Sequence, residues 1–294
     1  MHDDAQALPH RILIVGASGP IGRALVTNLA GQHHSSADRI VLLQRGKQGD
    51  YSPIARGDVD LMEPQALAAW LGEEPEAVAY LAGVSAETAQ AQPAVGRELH
   101  VNGFIRVLEA MAAFRNTSIV VYASSTAVHG AQTAYADQKA EAEALLLVSS
   151  TAGTCLRFPT VLPRRSTQTR TAFLDEAVRQ LSSGKEFRWP VAPDRRVRLM
   201  STTAAARHIA TAINLGPAFG RRVLDLPATI ATPRNINSAE GSGDPLVSVQ
   251  PNLDKALEDR IVDIDSSEAA ELGFPTAESV DQLLLAAKSQ LRIC

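Results

Sequence analysis

Tyr135 and Lys139 stand four residues apart in "TAYADQKAEAE", and Ser125 lies ten residues before the tyrosine. On a helix, residues i and i+4 share a face. A tyrosine ordinarily loses its proton near pH 10, too high for a base at neutral pH. An ammonium one turn away stabilises the phenolate and brings that proton transfer within reach. A serine hydroxyl at a neighbouring strand end would hold a substrate oxygen. The chemistry implied is proton transfer at a secondary alcohol or ketone. The bare spacing equally suits a surface pair on an amphipathic helix, so the elements around it must decide.

Upstream, the buried strand "RILIV" (11–15) runs into "GASGPIG". Gly16, Gly19 and Gly22 are spaced GxxGxxG, with Ser18 and Ile21 between them. Such glycines allow a tight turn and close approach of backbone to a pyrophosphate at the N-terminus of the next helix. Pro20 suits a first helical turn, where its missing N–H costs nothing. This is a dinucleotide-binding pattern following a strand and opening a helix. The second strand, "RIVLL" (39–43), ends in Gln44-Arg45. No carboxylate is there to accept a ribose 2′-hydroxyl, and the Arg45 guanidinium suits a 2′-phosphate. The cofactor expected is therefore NAD(P), leaning to NADP. Asp58, followed by Val59 in "GDVDL", suits the adenine amino group; it suits an N-cap or turn equally well.

These residues need a frame. "AVAYL" (77–81), "SIVVYA" (118–123) and "GTCLRF" (153–158) read as further buried strands. Helical patterns near 20–30, 64–71, 93–115 and 133–149 alternate with the strands. The fold class is α/β: a Rossmann-type doubly wound parallel sheet with a small discontinuous C-terminal lobe. The dinucleotide lobe spans 11–161, with a later contribution from about 203–230; segments 162–202 and 231–294 form a substrate lobe. Helices are expected near 171–183 and 203–214, and a strand at 221–226. "ATPRNINSAEGSGDPL" (231–246) is rich in turn formers and reads as a mobile loop. "IDSSEAAELGF" reads as a capped helix with a glycine stop.

Composition sets limits. The chain has 294 residues, 45% of them hydrophobic, and a net charge of −4. That balance gives no reason to expect nucleic acid or an anionic membrane as partner. Two cysteines without CxxC spacing argue for a reducing compartment and against a zinc site. The N-terminus is polar and acidic, unlike a signal peptide, and no run approaches membrane-spanning length. A cytoplasmic protein without metal is expected. Residues 157–198 nonetheless carry nine arginines and a net +6, a cationic patch suited to a small anionic substrate, a carboxylate or a phosphate.

The order of glycine loop, strand ending in serines, then YxxxK resembles the short-chain dehydrogenase/reductase superfamily, in its extended, epimerase/dehydratase-like branch. The resemblance covers about residues 11–290 and rests on five segments. "GASGPIG" is similar to the branch's cofactor loop, and "YLAGVS" (80–85) to its L-A-A segment under the cofactor. "VNGFIRVLEA" (101–110) is similar to its N-x-x-G-T-x-x-L-L-E-A helix, with Phe104 for the threonine. "VYASSTAVHG" (121–130) resembles its S-S-x-x-V-Y-G strand end, with His129 for the tyrosine, and "RFPTV" (157–161) its R-x-x-N/T-V segment. The resemblance implies Tyr135 as general acid/base, Lys139 as its partner and ribose anchor, and Ser125 as the substrate-facing hydroxyl. It implies Asn102 at the Lys139 end of a proton relay. Leu81, Ala82, Gly83, Pro159 and Val161 would contact the cofactor, Ser85 the substrate, and His129 would pack against the sheet edge. A homodimer through the helices at 93–115 and 133–149 is likewise what the family implies. The ten-residue Ser–Tyr spacing is about half the branch's usual one. Ten residues span up to roughly 33 Å, so Tyr135 can still reach the site, under a more open or differently filled rim.

Residues 157–201 most resemble the D-erythronate dehydrogenase-like group. Arg165, Arg198 and Ser201 stand at its substrate positions, although Ser166-Thr167 replace a Pro-Gly and Met200 a tryptophan. The implied function is an NAD(P)-dependent oxidoreductase acting on a small hydroxylated anionic substrate, of the sugar-acid or hydroxy-acid type. Two others compete: a nucleotide-sugar epimerase with tightly bound NAD(P), and a non-catalytic NAD(P)-binding protein.

Overall fold

Alternating side chains on most strands of the main sheet bury into two different cores. The computed structural model describes residues 11–32, 40–44, 55–58, 60, 67–72, 75–112, 118–130, 132–163, 171–258 and 263–291. In chain order the first elements are β1 (Ile12–Val15), α1 (Pro20–Gln32), β2 (Ile40–Gln44), β3 (Ala55–Asp58), α2 (Ala68–Leu71), β4 (Ala77–Tyr80), α3 (Ala86–Ala91) and α4 (Pro93–Arg97). A π-helical turn, Glu98–Asn102, joins α4 to α5 (Gly103–Ala112). After it come β5 (Ile119–Ser125), a 3-10 turn (Thr126–His129), α6 (Ala134–Val148), β6 (Ala152–Phe158) and β7 (Thr160–Leu162). The remainder holds α7 (Ala172–Leu181), β8 (Arg188–Trp189), β9 (Val197–Ser201), α8 (Thr202–Leu215), β10 (Arg221–Asp225) and β11 (Thr229–Ala231). It ends with α9 (Pro233–Ala239), β12 (Leu246–Val247), α10 (Pro251–Glu258), α11 (Ser267–Glu271) and α12 (Val280–Leu291).

Among the described residues, seven strands form one sheet in the order β10-β6-β5-β4-β1-β2-β3. Every neighbouring pair is parallel. Ile12 and Ile14 face α1 and α8, packing with Leu25, Leu29 and Ile209. Leu13 and Val15 face the other way, toward Phe104, Val107 and Leu146. Period-two alternation with both faces apolar is what a sheet covered by helices on both sides requires. Strand order reverses between β1 and β4. The crevice beyond the carboxyl ends of those two strands is where such sheets bind ligands. A third core forms around Trp189, Phe187, Leu174 and Leu284, beneath the small sheets β11-β9-β7 and β12-β8. None of the described helices is long and apolar enough to cross a membrane.

One expectation is corrected. The stretch 231–246 is not a loop throughout: α9 occupies Pro233–Ala239. Its turn-forming letters are cap letters. Thr232 and Asn235 make a reciprocal capping box, and Pro233 sits at the first helical position. Ile236 enters the third core, and Asn237 accepts from the Trp189 indole N–H at 2.9 Å. The helical segment expected near 93–115 is present over 93–112, with the π-helical turn set between α4 and α5. In the tail, the expected helix with its glycine stop is α11: the Asp265 carboxylate accepts from the Ser267 N–H, and Gly273 (φ 80°) follows its end.

Candidate active site

Gly16 adopts φ +88°, in the left-handed region open to glycine. A Cβ there would lie 2.7 Å from the Ala82 nitrogen, so the loop after β1 is pressed against the segment after β4. At Gly22 a Cβ would meet Ala17 Cα and the carbonyls of Gly16 and Ala17, all at 2.7 Å. This glycine lets α1 start tight against the turn. Gly19 donates its N–H to Gly16 O, and the Ser18 carbonyl accepts from Arg23 Nε. The first turn of α1 holds no acidic side chain, and its Pro20 and Ile21 line the crevice at the positive end of the helix. Backbone approach, helix polarity and position at the switch point all fit a dinucleotide pyrophosphate. Gly16→Ala is expected to abolish measurable NAD(P) binding in calorimetry and lower the thermal midpoint. Backbone strain alone costs about 1–3 kcal/mol; wild-type affinity in that variant would contradict the assignment.

A cleft of about 1050 Å³ opens here. Pro20, Ile21, Leu81, Ala82 and Gly83 line one part, and Pro159 and Val161 another. Ser125, Tyr135 and Lys139 line it as well. The short Ser–Tyr connection therefore spans the distance. It does so through the 3-10 turn, which Ser125 caps by accepting from Ala127 N at 3.2 Å. That bond uses a lone pair and leaves the Ser125 O–H to donate. Thr133 then caps α6. The connection lines the cleft with Thr126, Ala127, Gly130 and Thr133, beside Glu87 and Gln90 of α3 and Ala256 and Leu257 of α10. Gln90 also accepts from the Ala134 N–H. Ser85 lines the cleft too, while its hydroxyl caps α3.

Lys139 is buried, and burial pulls its pKa down to about 7. Its Nζ donates to Ala123 O at 2.7 Å and to Tyr122 Oη at 3.2 Å, and lies 5.7 Å from the Tyr135 ring centroid. His100, which the sequence reading did not single out, is the neighbour on the other side. Its ring meets Tyr135 edge-on, centroids 5.3 Å apart. Its Nε2 accepts from Val84 N–H at 3.1 Å. Nδ1 lies 2.9 Å from Gln138 Oε1, and Gln138 Nε2 donates to Pro93 O. These bonds fix a neutral, Nδ1-protonated ring. Burial first, and the Lys139 charge second, push its pKa down to about 3.

Asn102 is a correction. Its amide donates to Glu98 Oε2 at 2.6 Å, and Glu98 also pairs with Arg106. Asn102 does not line the cleft. The motif N-x-x-G, counted back from Gly103, lands on His100, and that count was the available signal. Ser201 is a second correction: it is fully buried, caps α8 at Ala204 N and donates to Glu278 Oε1 at 2.7 Å. A hydroxyl so committed is structural. His129 does not line the cleft either. It lies 2.6 Å from Asp225, which with Glu143 flanks Arg157.

Among the described residues, three arginines of the patch pair with carboxylates outside its own segment. Arg157 pairs with Glu143 and Asp225, Arg195 with Asp254, and Arg196 with Asp263. Arg196 and Arg198 do line the cleft. Arg198 is held by Leu226 O at 2.9 Å and Ile264 O at 3.5 Å. Arg45, Val59, Arg165 and the Asp58 side chain lie outside the described residues.

A glycine loop at the switch point of a parallel sheet, opening on a cleft that holds Ser, Tyr and Lys, defines a Rossmann-type enzyme of nicotinamide chemistry. Residues 12–196 match the NAD dependent epimerase/dehydratase family, and the chain belongs to it as an NAD-dependent oxidoreductase. It is 29% identical over 252 residues to D-erythronate dehydrogenase of Cupriavidus necator, covering 75% of this chain and 78% of that one. The D-erythronate dehydrogenase of Haemophilus influenzae is 22% identical over 301 residues, covering 90% and 94%. In fold, the chain is similar to a nucleoside-diphosphate-sugar epimerase from Agrobacterium tumefaciens, with TM-score 0.81, 21% identity, and 97% and 95% of the two chains covered.

Proposed function

We propose that this enzyme interconverts a secondary alcohol and a ketone on a small hydroxylated carboxylate of the sugar-acid type. The observation that supports it most is convergence: Ser125, Tyr135 and Lys139 line the same cleft as Arg196 and Arg198. A bound nicotinamide would supply the hydride acceptor or donor. The dinucleotide would rest on Gly16, Gly19 and Gly22 at the start of α1, over Leu81–Gly83, with Pro159 and Val161 beside it. Ser125 O–H donates to the reacting oxygen and fixes its position. Tyr135 takes the hydroxyl proton during oxidation and returns it during reduction. Lys139, as ammonium, favours the phenolate that this transfer requires. Arg198, held by backbone carbonyls, orients the carboxylate by charge and planar geometry. Residues 11–161 with 203–230 then serve the cofactor, and 162–202 with 231–294 the substrate. The relatives named D-erythronate dehydrogenase make D-erythronate the first compound to try.

The test is turnover of a panel of sugar acids and hydroxy acids with NAD and NADP, read at the reduced-nicotinamide absorbance band. Net reduction supports the reading; isomerised product without net redox would replace it with epimerisation. Arg45 carries the further expectation that NADP binds better than NAD. Arg45→Ala should weaken NADP about tenfold while changing NAD little, the loss of one charge-assisted phosphate contact. Equal loss for both would remove that preference.

A further inference from the structure

The π-helical turn Glu98–Asn102 carries two carbonyls that accept buried tyrosine hydroxyls. Tyr80 Oη donates to Leu99 O and Tyr122 Oη to His100 O, each at 2.8 Å. The two rings stack with centroids 5.9 Å apart, from β4 and β5 side by side in the sheet. Only one of these hydroxyls also meets the site. Tyr122 Oη accepts from Lys139 Nζ at 3.2 Å, and the same Nζ lies 4.6 Å from the centre of the Tyr122 ring. Because the Tyr122 proton is committed to His100 O, its lone pair is presented to the lysine.

We propose that Tyr122 is a positioning residue of the reaction: anchored by the π-helical turn, its hydroxyl holds Lys139 beside Tyr135 and stabilises the charged form of the lysine. The inference rests on the reading of Tyr135 and Lys139 as the acid/base pair. Tyr122 itself is no rival base, since burial pushes its pKa well above the ordinary value. It stays a neutral donor and acceptor. The groups facing Lys139 are few. Tyr135 and Glu143 come from its own helix, and His100, held neutral, comes from the π-helical turn. From β6 come Cys155, whose thiol burial keeps protonated, and Arg157 behind Glu143. Burial works against the ammonium at this position, so a directed oxygen acceptor matters there.

The chain has five lysines, so ¹³Cε-lysine labelling resolves them, and Lys139→Met assigns the one of interest. Tyr122→Phe keeps the ring and removes the acceptor. The Lys139 titration midpoint is expected to fall by about one unit, the size of one hydrogen bond to a charged group. Tyr80→Phe removes an equally buried hydroxyl that does not touch the lysine and should leave the midpoint in place. An unchanged midpoint in Tyr122→Phe, or an equal shift in Tyr80→Phe, overturns the proposal. Should Tyr122→Phe not fold, 3-fluorotyrosine incorporation in a Tyr135→Phe background weakens the same acceptor. The midpoint must then still move down; a fixed midpoint overturns the proposal there too. The underlying reading fails separately, by retained turnover in Tyr135→Phe, whatever the lysine does.

Discussion

Tyr135→Phe is expected to lower kcat by about 10²–10⁴-fold, the usual contribution of a positioned acid/base, while leaving cofactor affinity within a small factor. The phenylalanine keeps the ring that packs edge-on against His100, so the fold around the site should not change. What disappears is the hydroxyl to which the proposed function assigns proton exchange with the reacting oxygen. Ser125 only donates a hydrogen bond, and His100 is locked neutral with both ring nitrogens engaged. Lys139 is committed to Ala123 O and Tyr122 Oη. Steady-state kinetics together with cofactor calorimetry separate this loss from a binding defect. Wild-type kcat in the variant would sink the catalytic assignment.

Arg157→Met should produce the largest loss of stability outside the apolar cores. Its guanidinium makes a bidentate pair with Glu143 at 2.9 and 2.7 Å and a third bond to Asp225 at 2.9 Å. Ser124 donates to Glu143 at 2.6 Å, and His129 meets Asp225 at 2.6 Å. The cluster thus ties β5, β6, β10, α6 and the 3-10 turn together. Methionine leaves two carboxylates, with side-chain exposures of only 7% and 14%, without the guanidinium that bridges them. The expected cost is about 3 kcal/mol, the low end for breaking a buried pair, because the guanidinium keeps partial contact with water. Chemical denaturation measures it. Glu143 is one helical turn beyond Lys139, so kcat should fall as well, by less than in Tyr135→Phe. A triple variant with Glu143→Leu and Asp225→Leu should regain much of the stability, since an apolar set leaves no charge unpaired. An unchanged denaturation midpoint in Arg157→Met would show that the cluster contributes nothing.

Much of this was legible from letters alone where the controlling interactions are local. "GASGPIG" could be placed because the turn needs glycine at Gly16, and because β1 and α1 flank it directly. The β/α alternation predicted the doubly wound sheet, since strands buried on both faces must be apolar throughout. Tyr135 and Lys139 could be put on one face by helical period. The same local logic misled at 231–246, where Thr232, Pro233 and Asn235 are turn formers doing the work of a helix cap.

The sequence by itself determined the order of elements, the glycine turn and the face shared by Tyr135 and Lys139, because each depends on residues within a turn or two. Tertiary structure alone decided which charges meet and which groups surround the lysine. Arg157, Arg195 and Arg196 find their carboxylates 14 to 68 residues away, so a count within one segment overstated the patch. Tyr122 meets the lysine only because β5 and α6 pack together, a long-range contact with no periodic signature in the chain.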